Sequence, residues 1–183
     1  MTLSTCNVLG LLGCCLARCL VSNSRAADYA IGADLSFLNQ AEAQGTVFKD
    51  NGQTKPGLQI FKDHGYNWVR LRLFHTPSRL PNNLEYTVAS AKSARTLGFK
   101  FLLDYHYSDT WADPGKQTLP DAWKNKSHEQ LLEAVFEYTR DTIAAFSEAN
   151  VLPDMVRLEM RSLPACFGRM ANCRATGRTS PTC

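Results

Sequence analysis

The chain has 183 residues, 44% of them hydrophobic and 20% charged, with a formal net charge of +3 at pH 7. That length suits one ordinary core, and so small a charge argues against a nucleic-acid or membrane-surface ligand. The charge is also uneven: residues 157–183 hold five arginines and one glutamate, a net of +4, so the first 156 residues sum to −1 (3 − 4).

Residues 1–27 read as a targeting segment. An apolar run over 8–21 is broken only by Asn-free polar interruption at Arg18, and Ser24-Arg25-Ala26 has the small-x-small pattern of a cleavage site. The expectation is a secreted protein. Leu11-Leu12-Gly13-Cys14 resembles a lipoprotein acylation site, which makes a lipid anchor the alternative. No apolar run reaches the roughly 20 residues needed to span a bilayer, so no membrane partner is expected.

From Asp28 onward strand-like and helix-like segments alternate. Residues 29–34 form a short apolar run ending in a carboxylate, and 56–64 has helical spacing that stops at Gly65. Residues 66–74, rich in aromatic and branched side chains, predict a strand. A helix follows over 84–97, with Val88, Ala91 and Ala94 on one face and Gly98 closing it. Residues 100–106 predict a third strand. Ser127-x-x-Gln130 fits a capping box opening a long helix with the stripe Leu131, Leu132, Val135, Phe136, Ile143 and Phe146. Asn150 can end that helix, and Met155-Val156 begins a fourth strand. Trp68 and Trp123 are expected in the core.

This β-α-β-α-β-α-β order is that of a parallel sheet with crossover helices, shared by doubly wound sheets and (β/α)8 barrels. No glycine-rich phosphate loop precedes the early helices, which disfavours nucleotide binding. The seven cysteines avoid residues 20–165 and include no C-x-x-C pair, so neither a disulfide framework nor a zinc site is expected. No cofactor or metal is expected either.

Polar groups recur at the predicted strand ends. The first strand ends in Asp34, the second carries Arg70 and Arg72, and the third ends in Asp104, His106, Ser108 and Asp109. Alternation puts Arg70 and Arg72 on one face of their strand, and Leu102, Asp104 and His106 on one face of theirs. In a barrel the C-terminal strand ends carry the active site, so these residues suggest a functional rim. Trp111 reads as a loop aromatic.

Three stretches resemble glycoside hydrolase family 53, the endo-β-1,4-galactanases that cut arabinogalactan: Gly32-Ala33-Asp34-Leu35-Ser36; the run from Asp63 to Arg72, DHGYNWVRLR; and the run from Leu103 to Gln117, LDYHYSDTWADPGKQ. The resemblance spans residues 28–156 and implies a truncated (β/α)8 barrel of three to four βα units. It also implies retaining hydrolysis of β-1,4-galactan, a polysaccharide substrate, by two carboxyl groups. Asp34, Arg70, Arg72, His106, Ser108 and Asp109 would then shape the sugar subsites, and Trp111 would stack on a sugar face. Loop fixing is the competing role for Asp109.

The family's acid/base glutamate follows an asparagine at the end of the fourth strand, and its nucleophile ends the seventh. Here Pro153-Asp154-Met155-Val156 fits, and then the pattern breaks at Arg157-Leu158-Glu159, so no catalytic residue is assigned. Residues 157–175 can be encoded so that one added A after the first base of the Arg157 codon reads QVGNEIAAGMLWPDGKLPG, which contains the missing N-E. The expectation is therefore a frameshifted, non-native tail over 157–183. The chain as written is expected to be inactive, with a noncatalytic carbohydrate-binding half-barrel as the alternative.

Overall fold

A computed structural model describes residues 29–112 and 118–159. In chain order its elements are β1 (Gly32–Asp34), α1 (Leu38–Ala43), β2 (Lys49–Asp50), β3 (Gln53–Thr54), α2 (Gly57–Asp63), β4 (Trp68–Phe74), α3 (Leu84–Thr96), β5 (Lys100–His106), α4 (His128–Glu148) and β6 (Met155–Glu159). The targeting segment and most of the tail lie outside the described residues, as does 113–117.

Four strands form one parallel sheet in the order β1-β4-β5-β6, while β2 and β3 pair as a separate antiparallel hairpin. Parallel neighbours need crossover connections, and α2, α3 and α4 supply them. Alternation divides the sheet cleanly. Val69, Leu71 and Leu73 of β4 and Phe101, Leu103 and Tyr105 of β5 are buried in the core with Ala91 and Ala94 of α3 and Phe146 of α4. Each of the larger apolar side chains contributes roughly 1.5–3 kcal/mol on burial. The even-numbered residues of β1, β4 and β5 lie on the opposite face, which is where the polar strand-end residues collect.

The helix ends follow local chemistry. Gly65 and Gly98 take φ of 83° and 71°, and Asn150 takes 56°, the left-handed conformation that stops a helix. Ser127 accepts from the Gln130 backbone N–H while the Gln130 side chain accepts from the Ser127 N–H, completing the capping box. Asp154 fixes the entry to β6: its carboxylate accepts from the Phe101 N–H at 2.9 Å and pairs with Arg95 at 2.7 Å.

Several expectations need correction. The short helix α1 and the β2–β3 hairpin interrupt what reads as plain connection before α2. The strand over 66–74 begins at Trp68, because Tyr66 turns away to pack its ring edge-on against Phe61 at 5.0 Å. On α4, Phe136 is 61% exposed rather than part of the buried stripe, while Thr142 is buried. Trp123 is in the core, but Trp68 is only half-buried and lines the concave inner side of the sheet.

Candidate functional site

The inner face of the sheet brings together side chains from three strands. In register, Asp34 lies opposite Arg70, Arg72 opposite Asp104, and Phe74 opposite His106. Because adjacent strands sit about 4.8 Å apart, these side chains meet without any special loop.

Asp104 is the hub. It has no exposed side-chain surface and accepts hydrogen bonds on Oδ2 from Arg70 Nε at 2.8 Å and from Arg70 Nη2. His106 Nε2 lies 3.4 Å from the same oxygen, and Arg157 Nε lies 3.8 Å from Oδ1. Burial acts to raise the Asp104 pKa, but the hydrogen bonds from His106 and Arg70 outweigh it and hold the carboxyl below its usual value of 3.8. The fork of one arginine on one carboxylate is the stronger class of hydrogen bond.

Asp34 forms the second node. Its Oδ2 accepts from Arg70 Nη1 at 3.0 Å and from Arg72 Nη2 at 2.6 Å. Its Oδ1 accepts from the Ser36 hydroxyl at 2.6 Å and from the Ser36 N–H at 3.2 Å. The Ser36 hydroxyl oxygen in turn accepts from the Arg72 N–H at 3.0 Å, tying the loop after β1 to β4. Arg70 thus bridges two aspartates across three strands, and Arg72 joins the network at Asp34.

Trp111 closes the outer side of this cluster. The Arg72 guanidinium lies over its ring at 4.4 Å, and Phe37, Phe74 and His106 stand around it with centroids 6.0–6.1 Å away. The residue remains 48% exposed. A large aromatic held by a cation and neighbouring rings, yet half exposed, is a ready platform for an apolar ligand face.

Of the residues singled out from the sequence, Asp34, Arg70, Arg72, His106 and Trp111 meet in one cluster. The side-chain hydrogen bonds of Ser108 and Asp109 go to other groups. Ser108 is fully buried, its hydroxyl 3.1 Å from that of Thr118 and accepting from the Thr110 N–H. Asp109 accepts from the Thr76 and Asp121 N–H groups, each at 2.8 Å, and so pins the loops after β4 and β5 together. Ser36 and Asn82 were not singled out. Asn82 is buried and donates to the Ser36 carbonyl at 2.8 Å, holding the loop that carries Ser36. A short hydroxyl two residues after a strand-end aspartate was the available signal for Ser36; nothing local marks Asn82.

The family model described as Glycosyl hydrolase family 53 matches residues 30–160. An arabinogalactan endo-β-1,4-galactanase from Cellvibrio japonicus is 37% identical over 75% of this chain and 38% of its own length. Arabinogalactan endo-β-1,4-galactanase A from Emericella nidulans is 37% identical over 81% of this chain and 43% of its own. A solved fungal β-1,4-galactanase superimposes with a TM-score of 0.65 at 36% identity, over 68% of this chain and 38% of that one. The family 53 catalytic domain from Ignisphaera aggregans gives a TM-score of 0.66 at 38% identity, over 70% and 38%. The chain therefore spans about two fifths of the length of the curated relatives it matches, and its sheet is part of an α/β barrel.

Proposed function

We propose that this chain, which belongs to glycosyl hydrolase family 53, carries a sugar-binding portion of a β-1,4-galactan-degrading enzyme and does not itself hydrolyse the polymer. The observation that carries the binding half is Trp111, fixed over Arg72 at the rim where the Asp34–Arg70–Asp104 network ends. Its exposed surface offers a place for the C–H face of a galactose ring, and the partly exposed Arg70 and Arg72 offer donors for its hydroxyls.

The second half rests on the carboxylates of the described cluster. Glycoside hydrolysis needs an acid held protonated near neutral pH beside a second carboxyl group. Asp104 is held in the opposite sense, below its usual value, and both Asp104 and Asp34 are engaged by arginine. These two aspartates are binding and positioning groups in this reading.

The direct test is isothermal titration of the full chain with β-1,4-galactan oligosaccharides, with product analysis on the same samples. Saturable binding without new reducing ends is expected, as is loss of binding in Trp111→Ala. Cleavage by the chain as written overturns the noncatalytic half, and absence of binding overturns the other. A polymeric substrate favours a protein that acts outside the cell, with residues 1–27 as its secretion signal. Sequencing the N-terminus of the exported protein tests that, and resequencing the gene at the Arg157 codon tests the frameshifted tail.

A further inference from the structure

Asn82 lies in the loop after β4, just before α3, and is 1% exposed. Its main chain is fixed on both sides. The Asn82 carbonyl accepts from the Phe74 N–H at 2.9 Å, and the next residue, Asn83, caps α3 by accepting from the Tyr86 N–H at 2.9 Å. The side-chain amide of Asn82 donates to the Ser36 carbonyl at 2.8 Å, while its oxygen is buried and meets no donor among the described residues. A buried amide that uses one end only is costly where an apolar group would fill the same space. What the residue type supplies here is its bond to Ser36.

Ser36 passes that hold to the cluster. Its hydroxyl donates to Asp34 Oδ1 at 2.6 Å and accepts from the Arg72 N–H at 3.0 Å. The other oxygen of Asp34 accepts from Arg72 Nη2 at 2.6 Å, and the Arg72 guanidinium lies over the Trp111 ring at 4.4 Å. Each link is short and directional, so a shift of Ser36 turns Asp34, and turning Asp34 moves the guanidinium that Trp111 rests against. The chain after β1 has further ties to α3: the Gln40 N–H donates to the Tyr86 hydroxyl at 3.1 Å, and the Asn39 amide donates to the Ser90 hydroxyl at 3.0 Å. Losing the Asn82 amide therefore reorients Ser36 rather than freeing the loop.

Building on the reading of Trp111 as a sugar platform, we propose that Asn82 is a positioning residue for that platform. It acts through Ser36, Asp34 and Arg72, and tunes the affinity for a galactan chain from a buried place behind the rim.

The test is Asn82→Leu, which keeps the branched shape and removes both the donor and the unpartnered oxygen. The full chain labelled with fluorotryptophan gives one ¹⁹F resonance for each of its three tryptophans, assigned with Trp68→Phe, Trp111→Phe and Trp123→Phe. In Asn82→Leu the Trp111 resonance is expected to shift while those of Trp68 and Trp123 stay. Calorimetry is expected to show affinity for β-1,4-galactan oligosaccharides about fivefold weaker. Asn82→Ala, which asks for no added volume, is expected to do the same. The route is tested in Asp34→Asn, where adding Asn82→Leu is expected to move the Trp111 resonance little further; a full additional shift overturns the route. A Trp111 resonance unmoved by either Asn82 variant, equal movement of all three resonances, or unchanged affinity in a chain that binds each overturns the proposal. Unfolding of both variants overturns it as well, since Asn82 then serves the fold. Absence of binding by the unsubstituted chain overturns the platform reading instead, and the ¹⁹F shift still decides whether Asn82 positions the ring.

Discussion

Replacing Asp104 by asparagine removes the charge at the hub while keeping its shape. Two Arg70 donors converge on Oδ2, and His106 Nε2 lies 3.4 Å from it. The asparagine amide can serve at most part of that set, and it leaves a guanidinium facing a neutral group. Breaking a buried pair by removing one partner costs about 3–5 kcal/mol. The Arg70 side chain is 28% exposed and keeps Asp34 as a partner, so water and the second carboxylate recover part of this, and about 3 kcal/mol is expected.

Urea unfolding at fixed protein concentration, followed by tryptophan fluorescence, measures it. At a slope of about 1.5 kcal/mol per molar, the midpoint falls by about 2 M. The pH dependence gives an independent check. The folded-state pKa of Asp104 lies below its usual 3.8, so its stabilisation is fully present above the unfolded value and is lost as pH falls through the folded one. The gap between the natural protein and Asp104→Asn is therefore expected to be constant from about pH 5 upward and to close in stronger acid. A gap under about 1 kcal/mol at pH 7, or one that widens on acidification, refutes the assignment of Asp104 as the hub.

Asp34→Asn is expected to cost less, about 1 kcal/mol, because its side chain is 26% exposed and the loss is screened; 0.5 M salt should shrink this effect much more than that of Asp104→Asn. Trp111→Ala is expected to weaken oligosaccharide binding at least tenfold, about 1.4 kcal/mol, read by calorimetry, and to lower stability by about 1–2 kcal/mol through the lost half-buried ring contacts. Asp109→Ala should act chiefly on stability, lowering it by about 2–3 kcal/mol through two lost charge-assisted bonds, as read from its urea midpoint. Tyr105, pushed up to about 12 by burial, and Tyr86, Tyr107 and Tyr138, also raised chiefly by burial, leave an absorbance titration at 295 nm in which four of the six tyrosines ionise late. Ionisation of all six together near pH 10 would show these rings are not packed as described.

The sheet and its polar rim were legible because a two-residue period cannot hide. Arg70 and Arg72, or Asp104 and His106, must share a face once their segments are strands, and their partners follow from pairing those strands in parallel. The helix stops at Gly65, Gly98 and Asn150 were legible for a similarly local reason. The first part of the chain was not. α1 has only six residues, no side-chain cap and no buried position, and contacts distant in sequence hold it, such as the Gly57 N–H donating to Glu42 at 2.7 Å. The α4 stripe misled where polar letters took buried places. Thr142 is buried because its hydroxyl donates to the Thr139 carbonyl and so accepts from Tyr105, a pairing that the helix period alone does not reveal. The letters of Ser108 and Asp109 do not reveal the Thr76, Thr110 and Asp121 N–H groups from which they accept, because those partners are set by how the loops fold.

The middle strand accounts for why one short run identifies the family so sharply. β5 lies between β4 and β6, and its side chains alternate between two unlike surroundings. Asp104 and His106 face the arginines and Phe74, while Tyr105 and the adjoining Tyr107 face α4, where their hydroxyls meet Thr142 and Thr139 at 2.6 and 2.9 Å. From Leu103 to Ser108 every residue is buried, so each position must satisfy a particular neighbour in volume and hydrogen bonding. An edge strand carries half of those constraints, and β1 and β6 are correspondingly less distinctive. The same asymmetry separates the well-determined part of this sheet from the rest: its central strands are packed and hydrogen-bonded on both sides, and the weaker constraints fall on the outer strands β1 and β6.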